Sequence, residues 1–174
     1  KGKHNLSNFI ASATAAKILN VKNKKIKKTM ELFTGIKHRL QFVKSIKGSS
    51  YINDSKATNI SSVIAAINSF NAPIILLLGG KNKDSDFRLL LPHTKRHVKH
   101  IVSFGEAGGE IATAIGDAVR LDITSSLNQA VASAHKIASP GDIILMSPGC
   151  ASFDEFKNFE DRGEKFIKMV NELK

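Results

Sequence analysis

Apolar residues follow two different rhythms along this chain, and the change falls near residue 40. Before it they recur at helical spacing. Phe9, Ala13, Ala16 and Leu19 fall on one face of a helix that Ser7 or Asn8 can cap, and a second short helix is expected over 26–33. After residue 40, short apolar runs alternate with amphipathic stretches. The runs at 41–46 and 51–52 read as a hairpin around Lys47-Gly48-Ser49-Ser50. Those at 73–78, 100–104 and 142–146 are almost unbroken, as in strands covered on both faces, and 118–121 reads as a shorter strand. Helices are expected over 60–70, 108–115, 125–138 and 154–173, the last interrupted near Gly163. A broken helical stretch over 87–95 should end near Pro92 or shortly after. Repeated strand–helix units predict an α/β fold, with a Rossmann-like, mostly parallel sheet and helices on both faces.

Open sheets of this kind bind ligands beyond the carboxyl ends of their strands. Three predicted strand ends lead into polar loops: Ile52 into 53–59, Leu78 into 79–86, and Met146 into 147–152. The first, Asn53-Asp54-Ser55-Lys56-Ala57-Thr58-Asn59, packs an acid, an ammonium, two hydroxyls and two amides into seven residues. The same residues also read as a capped helix start, with Thr58 or Asn59 as the cap. The second, Gly79-Gly80-Lys81-Asn82-Lys83, offers backbone N–H groups and two ammonium groups that suit a carboxylate or phosphate. It reads equally as a strand-to-helix turn with surface lysines, and no G-x-x-x-x-G-K-[ST] or G-x-G-x-x-G pattern occurs in the chain. In the third, Ser152 is spaced to cap a helix, with Glu155 completing a capping box. The free N–H groups of such a helix start would favour a carboxylate.

Composition narrows the field. With 174 residues, 42% of them hydrophobic, the chain can build one ordinary domain plus a smaller piece. No apolar run approaches the 18 residues that would suggest a membrane span. The single cysteine, Cys150, excludes an internal disulfide framework, suits a reducing cytoplasm and reads as a small buried residue. The net charge of +11 is concentrated in residues 1–48, which hold 12 Lys/Arg and one acid, Glu31. That stretch lacks interleaved aromatics and any nucleic-acid motif, so it reads as a solvated helix end and linker. His93 and His97 could share a helical face, but no third ligand is spaced to make a metal site with them.

Five segments in order resemble the C-terminal domain of the Mur ligases, and the likeness spans nearly the whole chain. They are Gly2-Lys3-His4-Asn5-Leu6-Ser7-Asn8, Gly35-Ile36-Lys37-His38-Arg39, the 53–59 run, Leu77-Leu78-Gly79-Gly80 with Lys83, and Ser147-Pro148-Gly149-Cys150-Ala151-Ser152 followed by Phe156-Lys157-Asn158-Phe159-Glu160. The 53–59 run is spelled as in the member that adds D-glutamate to UDP-N-acetylmuramoyl-L-alanine, whereas sister ligases differ there. The resemblance implies a cytoplasmic bacterial ligase of peptidoglycan-precursor synthesis. ATP and magnesium would convert the substrate carboxylate to an acyl phosphate, which the amine of D-glutamate attacks. It further implies that residues 1–34 are the tail of a central ATP-binding domain and that 35–174 form the amino-acid-binding domain, which closes over ATP. The magnesium ligands and phosphate loop are expected in the rest of the ligase chain, so this portion alone should be inactive. The partners implied are the two small-molecule substrates and that remaining chain, with neither nucleic acid nor membrane.

On the family pattern, Asn5 and Asn8 would lie near adenine, His38 and Arg39 would flank the nucleotide, and Asp54 would hold the ribose hydroxyls. Thr58 and Lys83 would bind one carboxylate of D-glutamate. Ser152, Phe153 and the backbone around Phe159 would hold the other. Lys56 would place positive charge at the reacting groups. Two positions depart from the pattern: Leu40 stands where many relatives have an aromatic, and Phe153 where a leucine is common. Three other readings remain at this point: another Mur-type or folylpolyglutamate ligase, a non-catalytic nucleotide- or amino-acid-binding module, and, last, a nucleic-acid binder.

Overall fold

The computed structural model describes the backbone of residues 3–174 and the side chains of 7–174 other than Arg96. The chain separates into two compact units, Lys1–Ile36 and Lys37–Lys174.

The first unit contains α1 (Lys3–Ile18) and α2 (Asn23–Leu32). The anticipated face of α1 is real, since Phe9, Ala13 and Ala16 are half-buried, and Phe9 meets Phe33 edge-on at 5.4 Å between ring centroids. Leu19 is 76% exposed and lies past the end of the helix. Ser7 and Asn8 do not cap α1, because it already runs from Lys3.

The second unit is a six-stranded sheet between two helical layers. Its strands are β1 (Gln41–Ile46), β2 (Ser49–Asn53), β3 (Ile74–Gly79), β4 (Val98–Phe104), β5 (Leu121–Ile123) and β6 (Ile143–Gly149), in spatial order β1-β2-β6-β3-β4-β5. All neighbours run parallel except the β1–β2 hairpin at one edge. That hairpin turns on Lys47 and Gly48 alone, both at positive φ (49° and 81°), the combination that a two-residue turn matching strand twist requires. Ser49 and Ser50 therefore belong to the strand and not to the turn.

Successive strand residues face opposite layers. In β3, Ile74, Leu76 and Leu78 pack with α3 (Ile60–Ile67) and α5 (Gly108–Ile115), while Ile75 and Leu77 pack with α6 (Leu127–Ile137) and α7 (Phe159–Glu172). Both faces of β3 are covered, which is why its sequence is apolar throughout. The 87–95 stretch is a 3-10 turn over Phe87–Leu90 followed by α4 (Leu91–His97). Pro92 does not end this helix. It sits in the first turn, where its missing N–H has no intrahelical partner to lose.

The final helix differs most from expectation. α7 begins at Phe159 and runs unbroken through Gly163. Its cap is Asn158, whose side chain accepts the Asp161 N–H at 2.7 Å. Ser152 is thus not a helix cap and forms no capping box with Glu155. Its carbonyl accepts the Phe156 N–H at 2.8 Å in a separate turn, and Glu155 reaches across to accept the N–H of Leu127 at the start of α6, at 3.0 Å.

Candidate functional site

The chain order places a crevice around β6. This strand is inserted between β2 and β3, and the helix that follows it, α7, lies on the opposite face from α3, which follows β2. Loops leaving adjacent strand ends therefore diverge, the arrangement at which open α/β sheets bind ligands. The three polar loops foreseen from the sequence leave the three adjacent strands β2, β6 and β3.

Their backbones are tied together. Gly149 N–H donates to the Ala57 carbonyl at 2.8 Å, joining the β6 loop to the β2 loop. Lys81 and Ala151 exchange backbone hydrogen bonds of 2.9 and 3.0 Å, joining the β3 loop to the β6 loop. The approach leaves no room for a side chain at Gly80, where a Cβ would overlap the Ala151 carbonyl and where φ is +119°.

Asn53 and Asp54 anchor the β2 end. Asn53 is fully buried, and its Oδ1 accepts the Ser55 N–H at 3.1 Å, turning the chain. Asp54, 6% exposed, accepts the Leu40 N–H at 3.1 Å on one oxygen and the Ser147 hydroxyl at 2.8 Å on the other. Burial pushes its carboxyl up to about 6, against the pull of those two bonds and of Arg39. Since 3.8 is its ordinary value, the folded protein holds this proton more tightly than the unfolded chain. Stability from this group is full below about pH 3.8 and is lost as pH rises to about 6, above which the deficit is constant. Asp54→Asn removes the buried charge while its oxygen still accepts the Leu40 N–H and its Nδ2 donates to the Ser147 hydroxyl, reversing that bond. It should therefore denature at higher urea than wild type at pH 8, by at most about 3 kcal/mol, with the gap closing by pH 4. A variant equal to or weaker than wild type at pH 8 would remove this account of Asp54.

Around that anchor the expected site residues fall into pairs. Lys56 Nζ sits 4.0 Å over the Phe159 ring, and Lys83 Nζ lies 5.3 Å from the Phe153 centroid. Among the described residues neither ammonium pairs with a carboxylate. Thr58 is exposed two residues from Lys56, and its N–H donates to the Lys56 carbonyl at 2.9 Å. Ser152 is buried beside Phe153, which is 62% exposed.

His38 and Arg39 divide. Arg39 is exposed, whereas His38 is 4% exposed, with Asn53 Nδ2 3.0 Å from its Nδ1 and Glu164 3.6 Å from its Nε2. Burial lowers the His38 pKa most, with Glu164 opposing. The His38 carbonyl accepts the Lys56 N–H at 3.0 Å, clipping the segment before β1 to the β2 loop. Asn8 is exposed on α1 in the first unit, and the Asn5 side chain lies outside the described residues.

Cys150 is buried, and burial pushes its thiol up to about 12, so it stays protonated. Among the described residues, no group of three or more His, Cys, Asp or Glu could hold a metal ion and no helix is long and apolar enough to cross a membrane.

Sequence reasoning passed over Arg162. Its side chain is fully buried and reaches under the β2 and β6 loops. A signal was present: Arg162 interrupts the apolar face formed by Phe159, Phe166 and Val170 on α7.

Fold and site together define an α/β protein whose anion-friendly crevice lies where an inserted strand reverses the sheet order. The family model for the glutamate ligase domain of Mur ligases matches residues 38–150. UDP-N-acetylmuramoylalanine–D-glutamate ligase of Bacillus cytotoxicus is 42% identical over 174 residues, 99% of this chain and 39% of that protein. The Chlamydia caviae ligase of the same name is 44% identical over 98% of this chain and 41% of its own length. Among solved structures, MurF from Acinetobacter baumannii aligns over 98% of this chain and 38% of its own, with a TM-score of 0.72 and 18% identity. MurF ligase from Thermotoga maritima, solved in complex with ADP, aligns with a TM-score of 0.68 and 14% identity over 98% of this chain and 39% of its own. The chain belongs to the Mur ligase family, within its glutamate ligase domain. It spans about two fifths of the length of these curated relatives.

Proposed function

We propose that this chain is the amino-acid-binding, C-terminal portion of an ATP-dependent ligase that adds D-glutamate to UDP-N-acetylmuramoyl-L-alanine in the bacterial cytoplasm. In this reading residues 1–34 are the tail of the ATP-binding domain, and 35–174 close over the nucleotide. The observation that carries it is the pair of cations, Lys56 and Lys83, on two loops of one crevice, each beside an aromatic ring and without a carboxylate partner. An acidic amino acid needs such a cation for a carboxylate, and its ligation needs another where negative charge develops.

Lys83 and Thr58 would hold one carboxylate. Ser152, Phe153 and the backbone at Phe159 would form the pocket for the other. Lys56, the residue proposed to act in catalysis, would stabilise negative charge that develops at the reacting groups. ATP would supply the phosphoryl group that activates the acceptor carboxylate, with magnesium held outside these residues. The second unit suits a nucleoside: exposed Arg39 offers a planar cation for a base. The Asp54 oxygens, each accepting one hydrogen bond, retain acceptor capacity for ribose hydroxyls. His38, whose ring is buried, would serve by holding Arg39 and the Lys56 backbone in place.

The likeness to D-glutamate ligases at about 40% identity supports this over other Mur-type or folylpolyglutamate ligases, whose solved structures share the fold at 12–18% identity. The test is product identity. The full-length protein, given ATP, magnesium, UDP-N-acetylmuramoyl-L-alanine and D-glutamate, should yield a nucleotide product heavier by one glutamyl residue on mass spectrometry. A product carrying a different amino acid would reassign the ligase.

A further inference from the structure

Arg162 carries a full positive charge into the floor of the site, and all five of its N–H directions are used. Nε donates to Ser55 Oγ at 3.0 Å. Nη1 donates to the carbonyls of Cys150 and Ala151 at 3.1 and 3.3 Å, and Nη2 to those of Ser55 and Cys150 at 2.9 and 3.1 Å. Every acceptor is neutral, and among the described residues no carboxylate forms an ion pair with it. Asp154 and Glu155 lie near enough to favour the charge without pairing with it, and a buried guanidinium bonded only to neutral acceptors is costly to keep.

The acceptors are not scattered. Ser55 lies on the β2 loop between Asp54 and Lys56. Cys150 and Ala151 lie on the β6 loop just before Ser152, and Ala151 in turn pairs with Lys81 on the β3 loop. Ser55 Oγ passes the link on by donating to the Phe159 carbonyl at 2.7 Å. One side chain therefore fixes the backbones that present Lys56, Lys81 and Ser152. Desolvation lowers its pKa only to about 10, so the charge persists at neutral pH.

We propose that Arg162 is a positioning residue for the amino-acid substrate: its guanidinium fork holds the β2 and β6 loops at the spacing a dicarboxylate requires and sets a positive potential beneath them. This rests on the ligase reading above. The fork matters as well as the charge, because its three nitrogens make five bonds to the two loops, and the single nitrogen of an ammonium has only three donors.

The experiment is initial-rate kinetics on the full-length protein carrying Arg162→Lys, alongside amide hydrogen exchange at Lys81, Ala151 and Ser152. Arg162→Lys should raise the KM for D-glutamate at least tenfold, the loss of one or two charge-assisted bonds' worth of positioning. The KM for the UDP-linked substrate should stay within twofold, and exchange at the three amides should quicken. A role confined to stability would lower the melting temperature and leave the glutamate KM of the folded enzyme unchanged, and that result overturns the proposal. Should Arg162→Lys fail to fold, Ser55→Ala decides. It removes the Nε acceptor and the link to Phe159, and it should raise the glutamate KM at least threefold; a KM within twofold of wild type overturns the proposal. If the wild type forms no glutamate adduct, the ligase reading fails by itself. Exchange in the variants then still judges the staple, and unchanged rates at the three amides would overturn it.

Discussion

Lys83→Ala should raise the apparent KM for D-glutamate at least tenfold in the full-length enzyme. Lys83 is exposed at the end of the β3 loop, beside the exposed Phe153 ring, and no carboxylate among the described residues competes for its charge. A charge-assisted hydrogen bond contributes about 1.5–3 kcal/mol, and about 1.4 kcal/mol is a factor of ten. The loss should fall on the amino acid alone, leaving the KM of the UDP-linked substrate within twofold. Stability should hardly move, because the side chain is exposed and, among the described residues, forms no ion pair. Initial-rate kinetics with each substrate varied in turn, together with a thermal melt, check both parts. An unchanged glutamate KM removes Lys83 from the site.

Gly163→Ala should destabilise the protein, against the usual sign. In an exposed helix interior this change stabilises by about 1 kcal/mol. Here Gly163 lies buried in α7 with the His38 ring seated on it, and a Cβ would overlap ring atom Nδ1. Overpacking of this kind costs about 1–3 kcal/mol. The ring cannot simply withdraw, since the same Nδ1 lies 3.0 Å from Asn53 Nδ2, which also donates to the Gly163 carbonyl at 3.4 Å. In a His38→Ala background the obstruction is gone, so adding Gly163→Ala should become neutral or stabilising. Urea denaturation of the four proteins in this cycle measures the coupling directly. A stabilising Gly163→Ala in the presence of His38 would show that the ring does not seat there.

The sheet and its polar edge were legible because the physics is local. β3, the Ile101–Val102 centre of β4 and β6 from Ile144 to Met146 are covered on both faces, so those stretches are apolar without alternation, and the loops at the strand ends are polar because they reach the surface. Ile52, Leu78 and Met146 were readable as strand ends for that reason, although all three strands continue a little further, to Asn53, Gly79 and Gly149. What failed depended on tertiary contacts. Ser152 and Glu155 have the spacing of a capping box, but Glu155 is drawn to the start of α6 and the helix waits for Asn158. The last short strand, expected at 118–121, lies at Leu121–Ile123, because a 3-10 turn takes up Gly116–Ala118 and only β4 pairs with it. Gly163 suggested a break and instead makes room for a histidine 125 positions earlier in the chain. Arg162 was visible as a break in the apolar face of α7, but its role was not, because the four acceptors of its five bonds are a serine hydroxyl and three carbonyl groups, which leave no pattern in a sequence.

The measurement that bears most directly on the account is phosphate release by the full-length protein with ATP, magnesium and UDP-N-acetylmuramoyl-L-alanine, in the presence of D-glutamate, L-glutamate or neither. The account predicts release that depends on D-glutamate and stays near background with the other two. Release that prefers L-glutamate, or that is absent with both from a folded enzyme, would contradict it.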